Sequence, residues 1–255
     1  MLSLIGLGLW NEKDITLKGL ARAQEADLVY IEVYTSHWHG NLKNLEKTIK
    51  KKINTLKRMD LEEKSYKILE EAKKKKVVIL VPGDPLVATT HISLILNAIK
   101  DEIEVEVIHN ASIYSAIAET GLHVYKLGAS ATIPFPEKTS EVLPLSTYET
   151  LKENISLGLH TLLFLDVASD EKYMTPNQAI ETMLKLEGVM KQNIFTYNTK
   201  IIVFGRAGSD EPLILYGKVR DLLEKNFGEP PFVIIVPGRL HFTEKEFLEF
   251  YKVKK

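Results

Sequence analysis

Residues 75–91 read KKVVILVPGDPLVATTH, and the exit from the apolar run in this stretch decides the architecture. Val77 to Val81 is a short, continuous, largely β-branched run, the mark of a strand buried on both faces. Pro82-Gly83 ends it, because proline removes a ladder donor and glycine admits backbone angles closed to other residues. Asp84 is then a good helix N-cap and Pro85 a good first helical residue. Leu86, Val87, His91, Leu94, Ile95 and Ala98 follow as the apolar stripe of a helix. A buried strand that exits through Pro-Gly into a helix is one unit of an α/β fold.

The same unit recurs on both sides. Strands are expected at residues 2–5, 28–33, 53–56 and 105–108. Asp14 is expected to cap a helix containing Ile15, Leu17, Leu20 and Ala21. Residues 43–52 read as a basic helix. Asp60 and Glu63 have the spacing of a capping box for a helix running through Lys74. Residues 112–119 read as helical, ended by Gly121 as a C′ glycine. The second half repeats the pattern, with strands at 160–165, 201–204, 213–216 and 232–236 and helices at 145–156, 176–190, 219–226 and 243–251. Such alternation predicts mostly parallel sheet, with room for antiparallel edges at ILYGKV and PFVIIV. ATIPFPEK (131–138) reads as extended and irregular. A boundary near 108–112 divides the chain into an N-terminal α/β domain, 1–110, and a C-terminal α/β domain, 111–255.

The totals fit this picture. The chain has 255 residues, 45% hydrophobic and 26% charged, enough for one large domain or two small ones. A formal net charge of −1 supplies no global field for nucleic acid or anionic membrane. No cysteine is present, so disulfides and thiolate metal sites are excluded, and an intracellular enzyme is expected. MLSLIGLGLW (1–10) is too short to span a membrane and has no basic leader. The run Lys73–Lys76 complements a helix C-terminus and reads as a solvated end.

Open α/β sheets bind ligands outside the carboxyl ends of their strands, where PGDP sits. A phosphate loop there presents bare amides and a lysine. This one presents a carboxylate, which repels an anion and welcomes an amine, a hydroxyl or a cation. Gly6-Leu7-Gly8-Leu9 lacks the third glycine of a dinucleotide fingerprint, since Trp10 and Asn11 follow; it remains a tight turn, with or without close ligand approach. His37 and His39 have no companion at metal-ligand spacing, and no metal site is expected. His91 reads as a core residue. His241, just after Pro237-Gly238, is placed either to touch a ligand or to serve the turn. No Gly-x-Ser-x-Gly, no cysteine nucleophile and no His-Glu-x-x-His occurs. Chemistry that asks little of side chains fits best: group transfer from an activated, positively charged donor, catalysed by positioning and exclusion of water.

Six stretches together carry a resemblance: LIGLGLWNEKDITLKGL (4–20), EVYTS (32–36), GDPLVATTH (83–91), HNASIYSAIAETGL (109–122), YKLG with TIPFP (125–136) and PGRLHF (237–242). In this combination, spread over nearly the whole chain, the sequence resembles the diphthine synthases, the diphthine methyltransferases of archaea and eukaryotes within the tetrapyrrole-methylase-like group. The many Lys, Glu and Ile residues and the lack of a eukaryote-like extension resemble the archaeal members.

The resemblance implies two α/β domains of tetrapyrrole-methylase type, with S-adenosyl-L-methionine folded in the interdomain cleft and S-adenosyl-L-homocysteine as product. It implies a cytoplasmic homodimer, with no direct nucleic-acid or membrane partner. The substrate it implies is a protein, translation elongation factor 2 carrying a 3-amino-3-carboxypropyl group on a histidine, whose amine is methylated repeatedly to form diphthine. The cofactor contacts it implies are Leu9 after the first strand, Asp84 and Val87 in the PGDP segment, and Ser112 and Ile113 after the fifth strand. In the second half they are Leu163, Ala207 and His241. No catalytic residue is identified. The amine must shed a proton before it attacks, and His91, His241, Tyr34 and Tyr125 are the candidate acceptors; burial of the amine is the alternative. Two other readings stay open. One keeps fold and cofactor and exchanges the substrate for a tetrapyrrole or corrin precursor, which needs clustered Arg or Lys. The other is a non-enzymatic module that binds translation factors without turnover.

Overall fold

A computed structural model describes residues 1–139, 143–169 and 172–253. The chain divides into two compact units, Met1–Ser115 and Ala116–Lys255.

The first unit contains β1 (Leu2–Gly6), α1 (Leu17–Glu25), β2 (Leu28–Glu32), α2 (Leu42–Ile49), β3 (Ile53–Leu56), α3 (Arg58–Glu62), α4 (Tyr66–Ala72), β4 (Val77–Val81), α5 (Ile92–Lys100) and β5 (Val105–Ile108). Its sheet has the order β3-β2-β4-β1-β5, parallel throughout. Side chains alternate across it. Leu2, Leu4, Val77, Ile79 and Val81 pack with Ile68 and Leu69 of α4 and Leu94 and Ile95 of α5. Ile5, Val78 and Leu80 pack with Ala23 of α1 and Leu45 and Ile49 of α2. Both faces are covered, which is why the central strands read as unbroken apolar runs. The sequence and structure agree on all five strands to within a residue or two at the ends.

Three helix starts differ from expectation. Asp14 does not cap α1; its carboxylate accepts from the Trp10 and Asn11 amides, and Thr16 Oγ1 caps the helix through the Gly19 N–H. Asp60 is the third residue of α3 and accepts from Lys57 N at 2.9 Å, and the helix expected through Lys74 is split into α3 and α4. The helix expected from Pro85 begins only at Ile92. There, side chains compete with the backbone: the Pro85 carbonyl accepts from Thr89 Oγ1 at 2.8 Å and from His91 Nδ1 at 2.9 Å, and Ala88 takes a left-handed φ of 55°.

The second unit follows α6 (Ile113–Ala116), which spans the division. It contains β6 (Ala131–Ile133), α7 (Leu145–Leu157), β7 (Thr161–Leu165), β8 (Val167–Ser169), β9 (Lys172–Tyr173), α8 (Pro176–Met190), β10 (Lys200–Gly205), β11 (Leu213–Lys218), α9 (Val219–Leu222), β12 (Phe232–Val236) and α10 (Phe242–Glu249). Its main sheet runs β11-β10-β12-β7-β6. Only β6–β7 is parallel; β10–β11, β10–β12 and β12–β7 are antiparallel. The expectation of mostly parallel sheet therefore holds for the first unit alone. β12 lies inside the sheet and all its residues are buried, so an antiparallel strand here carries the unbroken apolar pattern of a parallel one. ATIPFPEK is not wholly irregular either, since Ala131–Ile133 pairs with β7. Tyr148 and Leu151 of α7 and Ile180, Met183 and Leu186 of α8 form one core with Ile133, Leu163, Val203 and Ile234.

Candidate functional site

In the first sheet, β1 and β4 are neighbours, but their connections leave in opposite directions, β1 toward β2 on one side and β4 toward β5 on the other. That is the topological switch point, where open α/β sheets form a ligand crevice. The loops at this edge are pinned together. Gly8 and Gly83 exchange backbone hydrogen bonds of 3.2 and 2.7 Å, both at positive φ. Asn110 Nδ2, from the loop after β5, donates to the Gly6 carbonyl at 3.0 Å and to the Asp14 carbonyl at 2.9 Å.

Asp84 is the centre of this arrangement. Its Oδ1 accepts from Leu86 N at 3.0 Å, closing the turn, and its Oδ2 accepts from His109 Nδ1 at 2.8 Å and Asn110 N at 3.2 Å. It is thus a pin between two loops rather than the N-cap of a helix, and it is only 6% exposed. A carboxylate oxygen has two acceptor directions, so Oδ1 keeps one for a ligand. A Cβ added to Gly83 would meet nothing within 4 Å. The loop is open at this point, as a surface approached by a ligand must be.

The other first-unit candidates share this edge. Leu9 follows Gly8 directly. The Val87 N–H donates to the Asp84 carbonyl at 3.2 Å. Ser112 and Ile113 lie just past Asn110, where the Ser112 N–H donates to Ser115 Oγ and that hydroxyl donates back to the Ser112 carbonyl. Five of the expected residues, Leu9, Asp84, Val87, Ser112 and Ile113, therefore come from three adjoining loops.

The two pinned glycines have different tolerances. A Cβ on Gly8 would lie 2.5 Å from the Asp14 Cβ, so Gly8→Ala adds a clash to the cost of positive φ, and we expect a loss of about 2–4 kcal/mol. Gly83→Ala meets only the backbone term, about 1–2 kcal/mol. Urea unfolding of the two variants measures the difference; equal losses would mean that the Gly8–Asp14 contact relaxes freely.

The second-unit candidates are not gathered in the same way. Leu163 is fully buried in the core of its unit, and its strand is paired on both sides, with Ile234 and with Ala131. Ala207 follows β10 and is nearly buried. Its neighbour Arg206 is committed to structure, donating from Nη1 to the Phe227 and Glu229 carbonyls. Gly205 pairs with Phe232 and Ile202 with Ile235, so the exit of β10 lies beside the entrance of β12. His241 lies beyond the exit of β12, at the opposite edge of the sheet. The four steps from Phe232 to Val236 alone span about 13 Å. The structure therefore does not bring His241 together with Ala207.

His241 belongs instead to a cluster around Glu244, which is fully buried. The Glu244 carboxylate accepts from the His241 and His123 amides at 2.6 and 2.9 Å, from His160 Nε2 at 2.9 Å and from Lys126 Nζ. His241 is the N-cap residue of α10, with its ring nitrogen beside Thr243. Burial raises the Glu244 carboxyl pKa, but the hydrogen bonds from Lys126, His123, His241 and His160 outweigh burial and hold it at about 2. The His160 ring accepts from Gly238 N at Nδ1 and donates from Nε2 to Glu244, which fixes its neutral tautomer; burial lowers its pKa.

Of the four candidate proton acceptors, two are enclosed. His91 is 2% exposed, and the Tyr34 phenol is pushed well above its ordinary value by burial and then by Glu32. Tyr125 is 82% exposed and lies 2.9 Å from His123 Nδ1 through its hydroxyl. Among the described residues no group of three His, Cys, Asp or Glu side chains is placed to hold a metal. No helix among them is long and apolar enough to cross a membrane.

The profile of the Tetrapyrrole (Corrin/Porphyrin) Methylases matches residues 1–223. The chain belongs to this family. Within the methylases it is 45% identical over 254 residues to the diphthine synthase of Methanocaldococcus jannaschii, and 42% identical over 252 residues to that of Methanococcus vannielii, covering 98% of both chains in each case. A crystal structure of diphthine synthase superposes with a TM-score of 0.89 at 38% identity, over 98% of this chain and 95% of that one. This methylase is accordingly a methyltransferase of mixed α/β fold with two sheets.

Sequence reasoning missed His109 and Asn110, although both stand in the quoted HNASI stretch. Their signal was position, directly after a buried strand that would adjoin β1. It also missed Glu244, whose Asp/Glu-at-third-position spacing after His241 is a capping-box signal.

Proposed function

We propose that this methylase transfers methyl groups from S-adenosyl-L-methionine to the amine of a 3-amino-3-carboxypropyl-histidine on translation elongation factor 2, the diphthine-forming step of diphthamide biosynthesis. The observation that carries the reading is the pinned switch-point edge, with a buried carboxylate where a phosphate-binding loop would have bare amides and a lysine. The diphthine synthase relatives match nearly end to end, so a tetrapyrrole substrate is not favoured. The reading includes a cytoplasmic homodimer, as the resemblance implies.

The first unit fits the cofactor. Asp84 offers a free acceptor direction and a negative charge to an amine, a hydroxyl or a sulfonium. Leu9 and Val87 offer apolar contact beside it, and Ser112 and Ile113 border the third loop. We assign the cofactor to these five residues; Leu163, Ala207 and His241 are the second unit's residues that the resemblance implies. When bound, S-adenosyl-L-methionine supplies a methyl group on a sulfonium, already activated for in-line displacement. Asp84 and its loop partners fix a rigid edge, so the contribution of these residues is orientation. The attacking amine gives up its proton to solvent or to an exposed base; the Tyr125–His123 pair is accessible, whereas His91 and Tyr34 are not.

The test is methyl-labelled S-adenosylmethionine with elongation factor 2 already bearing the aminocarboxypropyl-histidine, read by mass spectrometry of the modified peptide. Label at that histidine, and none on factor lacking the group, is the expected result. Cofactor binding without transfer to this substrate would discard the assignment.

A further inference from the structure

A second buried titratable group lies behind the PGDP turn. Glu32, the last residue of β2, is fully buried. Its Oε1 accepts from Thr35 Oγ1 at 2.6 Å and its Oε2 from Thr35 N at 3.3 Å. His91 Nε2 stands 3.8 Å from Glu32 Oε1, with both side chains sealed from solvent. The other ring nitrogen, Nδ1, is 2.9 Å from the Pro85 carbonyl.

This geometry constrains the proton. A carbonyl only accepts, so His91 Nδ1 carries a hydrogen. If Nε2 were bare, its lone pair would face a carboxylate oxygen in a low-dielectric interior. At 3.8 Å the two atoms are too far apart for a hydrogen bond, and Nε2 has no hydrogen-bond partner among the described residues; one proton on either group removes the conflict, as imidazolium with carboxylate or as imidazole with carboxylic acid. Either form leaves the pair without net charge, which burial favours. Burial also raises the Glu32 pKa, outweighing the hydrogen bonds from Thr35 and the attraction of His91. A further titratable neighbour is Tyr34, on which Glu32, Glu62, Arg58 and Asp60 act; Arg58 lies 5.5 Å from its ring.

We propose that Glu32 is a positioning residue for the cofactor-binding turn: one buried proton, on Glu32 or on His91, keeps the pair neutral across the 3.8 Å between them and holds residues 85–91 against the end of β2. His91 is the link, because its Nε2 faces Glu32 of β2 and its Nδ1 donates to the carbonyl of Pro85, the residue after Asp84. Loss of the proton puts an unscreened negative charge beside a lone pair, and the turn that carries Asp84 and Val87 is released. This inference rests on the reading that the turn binds S-adenosylmethionine.

The test is calorimetric titration of S-adenosylmethionine from about pH 6 to about pH 10 into wild type, Glu32→Gln and Glu32→Ala. Hydrogen exchange of the amides of residues 86–91, corrected for intrinsic rates, is followed in the ligand-free proteins over the same range. Wild-type affinity is expected to fall about tenfold per pH unit above the pair's proton loss, as linkage to one proton requires, and exchange protection is expected to fall in the same range. Glu32→Gln keeps an acceptor for Thr35 and presents an amide N–H to a neutral His91 Nε2, so its protection is expected to stay flat and its affinity to change only as the ligand's own amine titrates. Glu32→Ala is expected to bind weakly at every pH; should it not fold, Glu32→Gln carries the comparison. A Glu32→Gln profile that tracks wild type in both measurements would overturn the buried proton. A wild-type protection profile that falls, in a protein that never binds S-adenosylmethionine, would uphold the latch and defeat the cofactor reading instead.

Discussion

Asp84→Asn is expected to cost about 2–4 kcal/mol of stability and about two orders of magnitude in affinity for S-adenosylmethionine. The substitution preserves size and leaves one oxygen to accept from Leu86 N. The new amide group, however, occupies the position of Oδ2, which accepts from both His109 Nδ1 and the Asn110 N–H. The imidazole can change tautomer and accept; the backbone N–H cannot, so a donor meets a donor in a nearly buried place. The loops after β4 and β5 then separate, and the charge that suits a cationic ligand disappears. His109→Ala is the control. Its side chain is largely exposed, and an exposed partner contributes about 0–1 kcal/mol. Calorimetric titration and thermal unfolding of both variants check this. Wild-type affinity in a folded Asp84→Asn protein would show that the carboxylate serves the turn alone.

Glu244→Ala is expected to be the most destabilising single change in the second unit, by about 3–5 kcal/mol, because it leaves the Lys126 charge and two amides without their partner. In a domain of this size that lowers the melting temperature by roughly 10 °C. The same carboxylate sets an acid limit. Its folded pKa of about 2 lies below its ordinary value of 4.5, so its contribution is complete above about pH 4.5. That contribution, about 3 kcal/mol, is lost as pH falls from there toward about 2. Acid unfolding followed by circular dichroism should therefore show a steeper decline for wild type than for Glu244→Gln, which has no proton to take up. Superimposable acid profiles would mean that solvent reaches the cluster and screens it.

How much of this was legible beforehand depends on the range of the signal. Strand positions were legible because burial on both faces writes a continuous apolar run, as at Val77–Val81 and Phe232–Val236. Direction was not: a run buried on both faces looks the same whether its neighbour is parallel or antiparallel, so the second sheet departs from the mostly parallel expectation. Helix starts failed where a side chain outcompeted the backbone. Thr89 and His91 take the Pro85 carbonyl, Asp14 takes two amides of its own turn, and neither preference can be seen from residue type alone.

Local periodicity and contiguous motifs are enough to establish two α/β regions, the strand exits at Gly6-Leu7-Gly8 and Pro82-Gly83, and the family to which the chain belongs. Which loops meet is settled by the folded arrangement of the strands. Gly8 finds Gly83, and Asp84 finds His109 and Asn110, through strand order, which places β4, β1 and β5 side by side at one edge. The antiparallel pairing of β10 with β12 puts Ala207 and His241 at opposite ends of a sheet, and the placing of β2 beside β4 seals Glu32 against His91. Pairing between distant strands is chosen by the total burial of the unit and not by the residues at the ends of any one strand, so no reading of a single stretch contains it.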